Sequence, residues 1–184
     1  MSNPEKKFIY IAGFKPSLEA SNAIMSLISE FLQSAKNLEG AAAWYSPVSY
    51  HCPLITITSR LPAGFFSFEK ALSTIKPFEI SLAEITGMKI EGVDAIASVL
   101  VDPEKKIDEV AGRLNEYLQE IDCENKTASE FILPVAVFRR EPADFPAIRA
   151  SQGKEVRFRV EDVRLFELAD EKEKLKEVRR FLLK

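Results

Sequence analysis

The stretch Trp44-Tyr-Ser-Pro-Val-Ser-Tyr-His51-Cys-Pro-Leu-Ile-Thr-Ile-Thr-Ser59 decides how this chain is read, because it carries the only histidine and runs straight into a strand. Apolar and hydroxyl side chains alternate over residues 54–59, the period of a half-buried strand. Pro53 has no N–H to give a ladder and fits only at the start of that strand or on a sheet edge. His51 is then either a cleft residue or a loop histidine beside a Tyr-Cys-Pro turn. Thr56 and Thr58, two apart, share one face and are candidates to donate to a ligand oxygen.

Outward from this stretch the chain alternates between strand and helix patterns. Upstream, an apolar run over 8–12 predicts a buried strand broken by Gly13, and Ser17 is placed to cap a helix. Leu18, Ile24, Leu27, Ile28, Phe31, Leu32 and Ala35 recur at three- and four-residue steps on that helix. A second strand is expected over 41–45. Downstream, a short helix over 66–75 precedes strands at 78–85 and 95–101, joined by a hairpin around 87–92. Asp102-Pro-Glu104 reads as a helix start, with Ile107, Val110, Ala111, Leu114, Leu118 and Ile121 on the apolar face. Residues 131–138 form an apolar strand interrupted by Pro134, and 141–154 read as a loop. A strand over 156–160 is continued or paired by 163–168, and residues 171–183 read as a closing amphipathic helix with Leu175, Val178, Phe181 and Leu182 inward.

Composition narrows the function classes. With 184 residues the chain supports one sizeable core, and no linker-like tract divides it, so one domain over 1–184 is expected, its two lobes exchanging near residue 90. The net charge of −3 argues against broad, non-specific nucleic-acid binding, which needs a basic surface. No apolar run reaches the roughly 18 residues of a membrane span, and no signal-peptide pattern opens the sequence. Cys52 and Cys123 are far apart and form no C-x-x-C, so a cytoplasmic setting with two structural thiols is expected. One histidine and two distant cysteines exclude a His/Cys zinc site, and neither a metal nor a cofactor is expected. No phosphate-binding glycine loop, dinucleotide fingerprint or nucleophile-elbow sequence is present.

The order of elements, rather than any single motif, carries a resemblance. Phe8-Ile-Tyr-Ile-Ala-Gly-Phe-Lys-Pro-Ser17, Trp44 seven residues before His51, Lys76-Pro-Phe-Glu-Ile-Ser-Leu82 and Val160-Glu-Asp-Val-Arg-Leu-Phe-Glu167 follow one another as in the 2H phosphoesterases. The chain resembles that superfamily, in particular its ligase-T-like branch of RNA 2′,3′-cyclic phosphodiesterases, over nearly its whole length. The resemblance implies an α+β fold of two antiparallel sheets around a central cleft, with helices outside. It also implies a pair of H-x-T/S motifs, one per lobe, in which one histidine is the general base, the other the general acid, and the hydroxyls hold phosphate.

Neither motif is intact. Counting from Trp44 places the first on His51-Cys52-Pro53, which loses the hydroxyl; matching the strand places it on Leu54-Ile55-Thr56, which loses the histidine. The second falls on Pro134 at the histidine position and Ala136 at the threonine position, with Arg139 at a basic residue that often follows. The binding candidates are therefore His51, Thr56, Thr58, Arg139 and Arg140, with His51 the best single candidate for catalysis. Arg157 and Arg159, flanking Phe158, are read as an exposed sheet face, and Trp44 as core. The expectation is a catalytically degenerate 2H-like protein that binds a nucleotide, phosphate or RNA end without efficient turnover. The alternatives are a protein-interaction module with a filled cleft, and an active cyclic phosphodiesterase with an atypical site.

Overall fold

The computed structural model describes residues 9–34, 40–59, 61–62, 68–90, 92–139, 155–169 and 174–184. Among the described residues, ten strands and three helices follow in the order β1 (Tyr10–Phe14), α1 (Leu18–Ser34), β2 (Ala42–Trp44), β3 (Cys52–Ile57), α2 (Phe68–Leu72), β4 (Phe78–Ile90), β5 (Val93–Val101), α3 (Lys106–Glu120), β6 (Asn125–Thr127), β7 (Ile132–Phe138), β8 (Arg157–Val160), β9 (Asp162–Ala169) and β10 (Lys174–Leu182). A 3₁₀ turn at Pro47–Ser49 leads into His51. The strands form two five-stranded sheets, ordered β10-β9-β1-β3-β6 and β2-β7-β5-β4-β8, with every pairing antiparallel. The expected α+β architecture of two antiparallel sheets is the one observed.

The helices form where local sequence asks for them. Ser17 Oγ accepts from the Ala20 N–H at 3.1 Å and caps α1. Ala20, Ile24 and Ile28, one turn apart, face the core, whereas Leu18, expected on that face, is 68% exposed in the first turn. On α3 the expected residues Ile107, Val110, Ala111, Leu114 and Leu118 are buried. Its start is displaced: residues 102–105 make a turn, Lys105 takes a left-handed conformation, and the Asp102 carboxylate reaches forward to the Ile107 N–H at 2.6 Å. Helices α2 and α3 pack on each other, α2 against β10 and α3 against β3 and β6, so they cover the back of the first sheet.

Several strand expectations are corrected by tertiary pairing. Residues 174–182 are a strand, not a helix; they run antiparallel to β9 from Lys174↔Ala169 to Leu182↔Asp162. Phe181 and Leu183 point inward while Val178 and Leu182, expected inward, are exposed. The helix-forming Lys, Glu and Arg of this segment yield because β9 would otherwise present an unpaired edge. Strands β8 and β9 do not pair or continue one another: a single residue, Glu161, carries the chain from the second sheet to the first. Gly13 does not break β1 but lies within it, and β7 continues past Pro134 to Phe138 with a shift of register there.

Residue 90 ends β4 and does not change lobes; β4 and β5 form a hairpin inside the second sheet, closed with Gly92 at φ 89°. The chain instead crosses between the sheets several times, and this gives them matching orders. Read from one edge, β6-β3-β1-β9-β10 corresponds to β2-β7-β5-β4-β8. The short edge strand beside β3 comes from residues 125–127, and that beside β7 from residues 42–44. Buried residues of both sheets and all three helices belong to one continuous hydrophobic cluster. Among the described residues no helix is long and apolar enough to cross a membrane.

Candidate functional site

The site is set by one irregularity repeated in both sheets. Along β1 and β3, Gly13 pairs with Pro53 but Ala12 pairs with Ile55, so Leu54 is an extra residue, a bulge. Along β5 and β7, Ala97 pairs with Pro134 but Ile96 pairs with Ala136, so Val135 is the extra residue. In each case a proline precedes the bulge, where the ladder is already broken and a missing N–H costs least.

The bulge changes which side chains share a face. In a regular strand His51 and Thr56, five apart, would point to opposite sides. With Leu54 inserted, Thr56 falls in phase with His51 and Pro53, on the face away from Cys52, Ile55 and Ile57, which are buried beneath the helices. His51, Pro53 and Thr56 accordingly line one groove, of about 280 Å³, between the two sheets. The far side is formed by Met88, Ile90 and Ile132 of the second sheet, and Lys126, Thr127, Ser129 and Glu130 close it beside β3. The histidine of one sequence register and the hydroxyl of the other therefore both line this groove.

By the same register, the second sheet presents Ile132, Pro134 and Val137 where the first presents His51, Pro53 and Thr56. Ala136, expected at the threonine position, points the other way and is fully buried in the core. The three positions that correspond to the first sheet's wall are therefore apolar.

His51 is held in one state. Its Nδ1 lies 3.0 Å from the Ser49 carbonyl oxygen, which can only accept, so Nδ1 carries the proton and Nε2 the lone pair. Its ring packs on Phe166 with centroids 5.8 Å apart. Lys15 places its Nζ 5.3 Å from the centroid of the same Phe166 ring and donates to the Val48 carbonyl at 3.3 Å. Burial lowers the His51 pKa, the Ser49 hydrogen bond opposes that, and the Lys15 charge lowers it further. The imidazole is neutral at pH 7, with a basic nitrogen.

Other predicted residues lie elsewhere. Thr58 is exposed just past β3, with its hydroxyl donating to the Glu124 carboxylate at 3.5 Å. Arg139 is exposed past β7, its N–H bound to the Ala41 carbonyl, and does not line the groove. Arg140 lies outside the described residues. Arg157 and Arg159 border two outer depressions, of about 640 and 910 Å³, and are paired with Glu155 and Glu161. Phe158 between them is buried, and Trp44 packs on the core. Sequence reasoning missed Lys89, Lys126, Thr127 and Ser129; the polar run Asn125-Lys-Thr-Ala-Ser-Glu130 was the available signal, but only its pairing with β3 brings it to the groove. Among the described residues no group of three or more His, Cys, Asp or Glu side chains is arranged to hold a metal ion.

The fold is the two-lobed 2H phosphoesterase fold. Escherichia coli LigT, in its complex with NADP+, matches 97% of this chain and 99% of its own at a TM-score of 0.68 with 12% identity. TT0787 of Thermus thermophilus matches over 95% of this chain and 97% of its own, with a TM-score of 0.66 and 13% identity. A further phosphoesterase matches over 96% and 98%, with a TM-score of 0.68 and 11% identity. At these identities the likeness is one of fold. No family model and no curated protein matches the sequence.

Proposed function

We propose that the inter-sheet groove binds the phosphate-bearing end of a nucleotide or RNA strand and does not efficiently turn over a cyclic phosphate. The observation that carries this reading is the asymmetry of the groove: one wall offers His51 and Thr56, and the second sheet faces them with the apolar Met88, Ile90 and Ile132. Hydroxyls and the cations Lys89 and Lys126 suit phosphoryl oxygens, and the apolar wall suits a base or sugar. Two-sided acid–base catalysis needs a titrating group on each side of phosphorus, and each such group is worth about 10²–10⁴ in rate. An open groove favours ligand binding over a filled cleft that only docks protein. LigT has been crystallised with 3′-AMP, with ATP and with phosphate, which supports nucleotides as the ligand class to try first.

Isothermal calorimetry with 3′-AMP, on the unmutated chain and on Thr56→Val, tests binding. Saturable binding weakened by the substitution is expected, and ligand at 100-fold over Kd adds about 2.7 kcal/mol of stability. Chromatography of 2′,3′-cyclic AMP incubated with the protein tests turnover. No binding at millimolar 3′-AMP, or rapid hydrolysis of the cyclic phosphate, overturns the proposal.

A further inference from the structure

We infer that the outer edge of β8 is a docking site for an extended basic segment of a partner protein, which adds to the second sheet as a further strand. Among the described residues this edge shares no lining side chain with the inter-sheet groove. The inference stands on backbone phase. β8 is the last strand of its sheet and pairs with β4 from Phe78↔Val160 to Ser81↔Arg157. The Leu82 N–H donates to the Val156 carbonyl at 3.0 Å, which fixes the phase of the ladder. In an antiparallel pair alternate residues bond the same neighbour, so Val156, Phe158 and Val160 turn their N–H and C=O groups to β4. Arg157 and Arg159 turn theirs outward, where among the described residues no strand pairs with them.

The other sheet edges are blunted in ways that β8 is not. β2 and β6 are three residues long, and β10 carries a register shift between Glu177 and Arg179. β8 pairs in regular register and borders a depression of about 640 Å³. The facing wall of that depression is α1, through Ala20, Ala23, Ser26 and Leu27. An extended chain about 4.8 Å from β8 bonds the outward groups of Arg157 and Arg159 and lays alternate side chains toward α1.

Charge selects the occupant. Arg157 and Arg159 are paired with Glu155 and Glu161, and Glu19 and Glu79 add negative charge beyond that balance. A polyanion such as RNA is repelled, and lysine or arginine on the face of the added strand beside these glutamates is favoured. The face toward α1 meets Ala20, Ala23 and Leu27 and takes small apolar groups. A second copy of this chain is disfavoured, because antiparallel pairing of two β8 strands about Phe158 or Arg159 sets arginine against arginine. The occupant is an extended segment of another protein in which basic and apolar residues alternate.

Fluorescence anisotropy with a labelled hexapeptide alternating Lys and Val measures binding to the whole chain, beside a Glu–Val hexapeptide and an oligouridylate of equal length. Two further Lys–Val peptides carry N-methyl groups, one on each alternate set of amides. Only the unmethylated Lys–Val peptide and one methylated form are expected to bind well. Methylating the set that faces β8 weakens binding about tenfold or more, and methylating the other set leaves it within about twofold. Ala23→Arg, exposed on α1, fills the depression and reverses its charge, and weakens binding about tenfold or more. No saturable binding at about 1 mM peptide, equal binding of the Glu–Val peptide, tighter binding of the oligouridylate, or equal effects of the two methylation sets overturns the inference. So does unchanged affinity in Ala23→Arg. Dimerisation seen by sedimentation and lost in Ala23→Arg gives the edge to a second copy and also overturns it. The methylated peptides decide the matter on the unmutated chain even where Ala23→Arg does not fold.

Discussion

Exchanging glycine for alanine should have opposite consequences at two positions of this chain, and the contrast tests the bulge on which the site depends. Gly13 pairs with Pro53 where β3 inserts its extra residue. A Cβ there would lie inside van der Waals contact of the Cys52 carbonyl oxygen, 3.1 Å from the Cys52 carbonyl carbon and 3.3 Å from Pro53 Cα. All three are backbone atoms, so no rotamer change relieves the contact. β1 and β3 must separate, and the pairs Ala12↔Ile55 and Gly13↔Pro53 are strained together. Overpacking costs about 1–3 kcal/mol, and a backbone clash belongs at about 3. Gly112, by contrast, is inside α3 with nothing within 4 Å of its would-be Cβ, and alanine there gains about 1 kcal/mol of helix propensity. Gly13→Ala and Gly112→Ala should thus differ by about 4 kcal/mol, or about 8–16 °C in Tm at about 2–4 °C per kcal/mol. Urea midpoints and thermal unfolding followed by circular dichroism read both. If Gly13→Ala lies within about 1 kcal/mol of the unmutated chain, the close approach of β1 to the bulge is wrong, and with it the phasing that brings His51 and Thr56 together.

Three further outcomes follow from named contacts. Asp102→Ala removes the acceptor of the Ile107 N–H at 2.6 Å and should cost about 1 kcal/mol, read from the urea midpoint; no change would mean the carboxylate does not cap α3. Asp162, nearly buried, holds Arg164 at 2.7 Å and Arg180 at 2.6 Å, so Asp162→Asn should cost about 2 kcal/mol, with the exposure of Arg180 keeping it below the value for a fully buried pair. The folded-state pKa of His51 lies below its unfolded value, so the unfolded chain takes up a proton first as pH falls, and stability is lost from about pH 6.5 downward. Since the chain has no other histidine, the slope of stability between pH 7 and 5 should flatten in His51→Gln, and equal slopes would place His51 in solvent.

Much of the fold was legible in the sequence because it is written in local periodicity. The buried faces of α1 and α3, the Ser17 cap and the β4–β5 hairpin each rest on residues within a turn or two of one another. The closing strand was not legible, because Leu175, Val178, Phe181 and Leu182 repeat at three- and four-residue steps and only the open edge of β9 selects the extended form. The crossing at Glu161 was hidden for a similar reason: β8 and β9 alternate alike, and the sheet each joins depends on β4 and β1.

The site divides in the same way. Sequence alone determined that there is one histidine, that hydroxyls follow it on a strand, and that the matching strand of the other lobe is apolar around Pro134. It could not determine that His51 and Thr56 act on one groove, since simple alternation sets them apart. Nor could it show that the second lobe presents Val137 rather than Ala136. Both were decided by a single inserted residue in each of β3 and β7, Leu54 and Val135. A bulge is a property of two paired strands, not of either one, so the phase of every side chain beyond it is fixed only when the sheet forms.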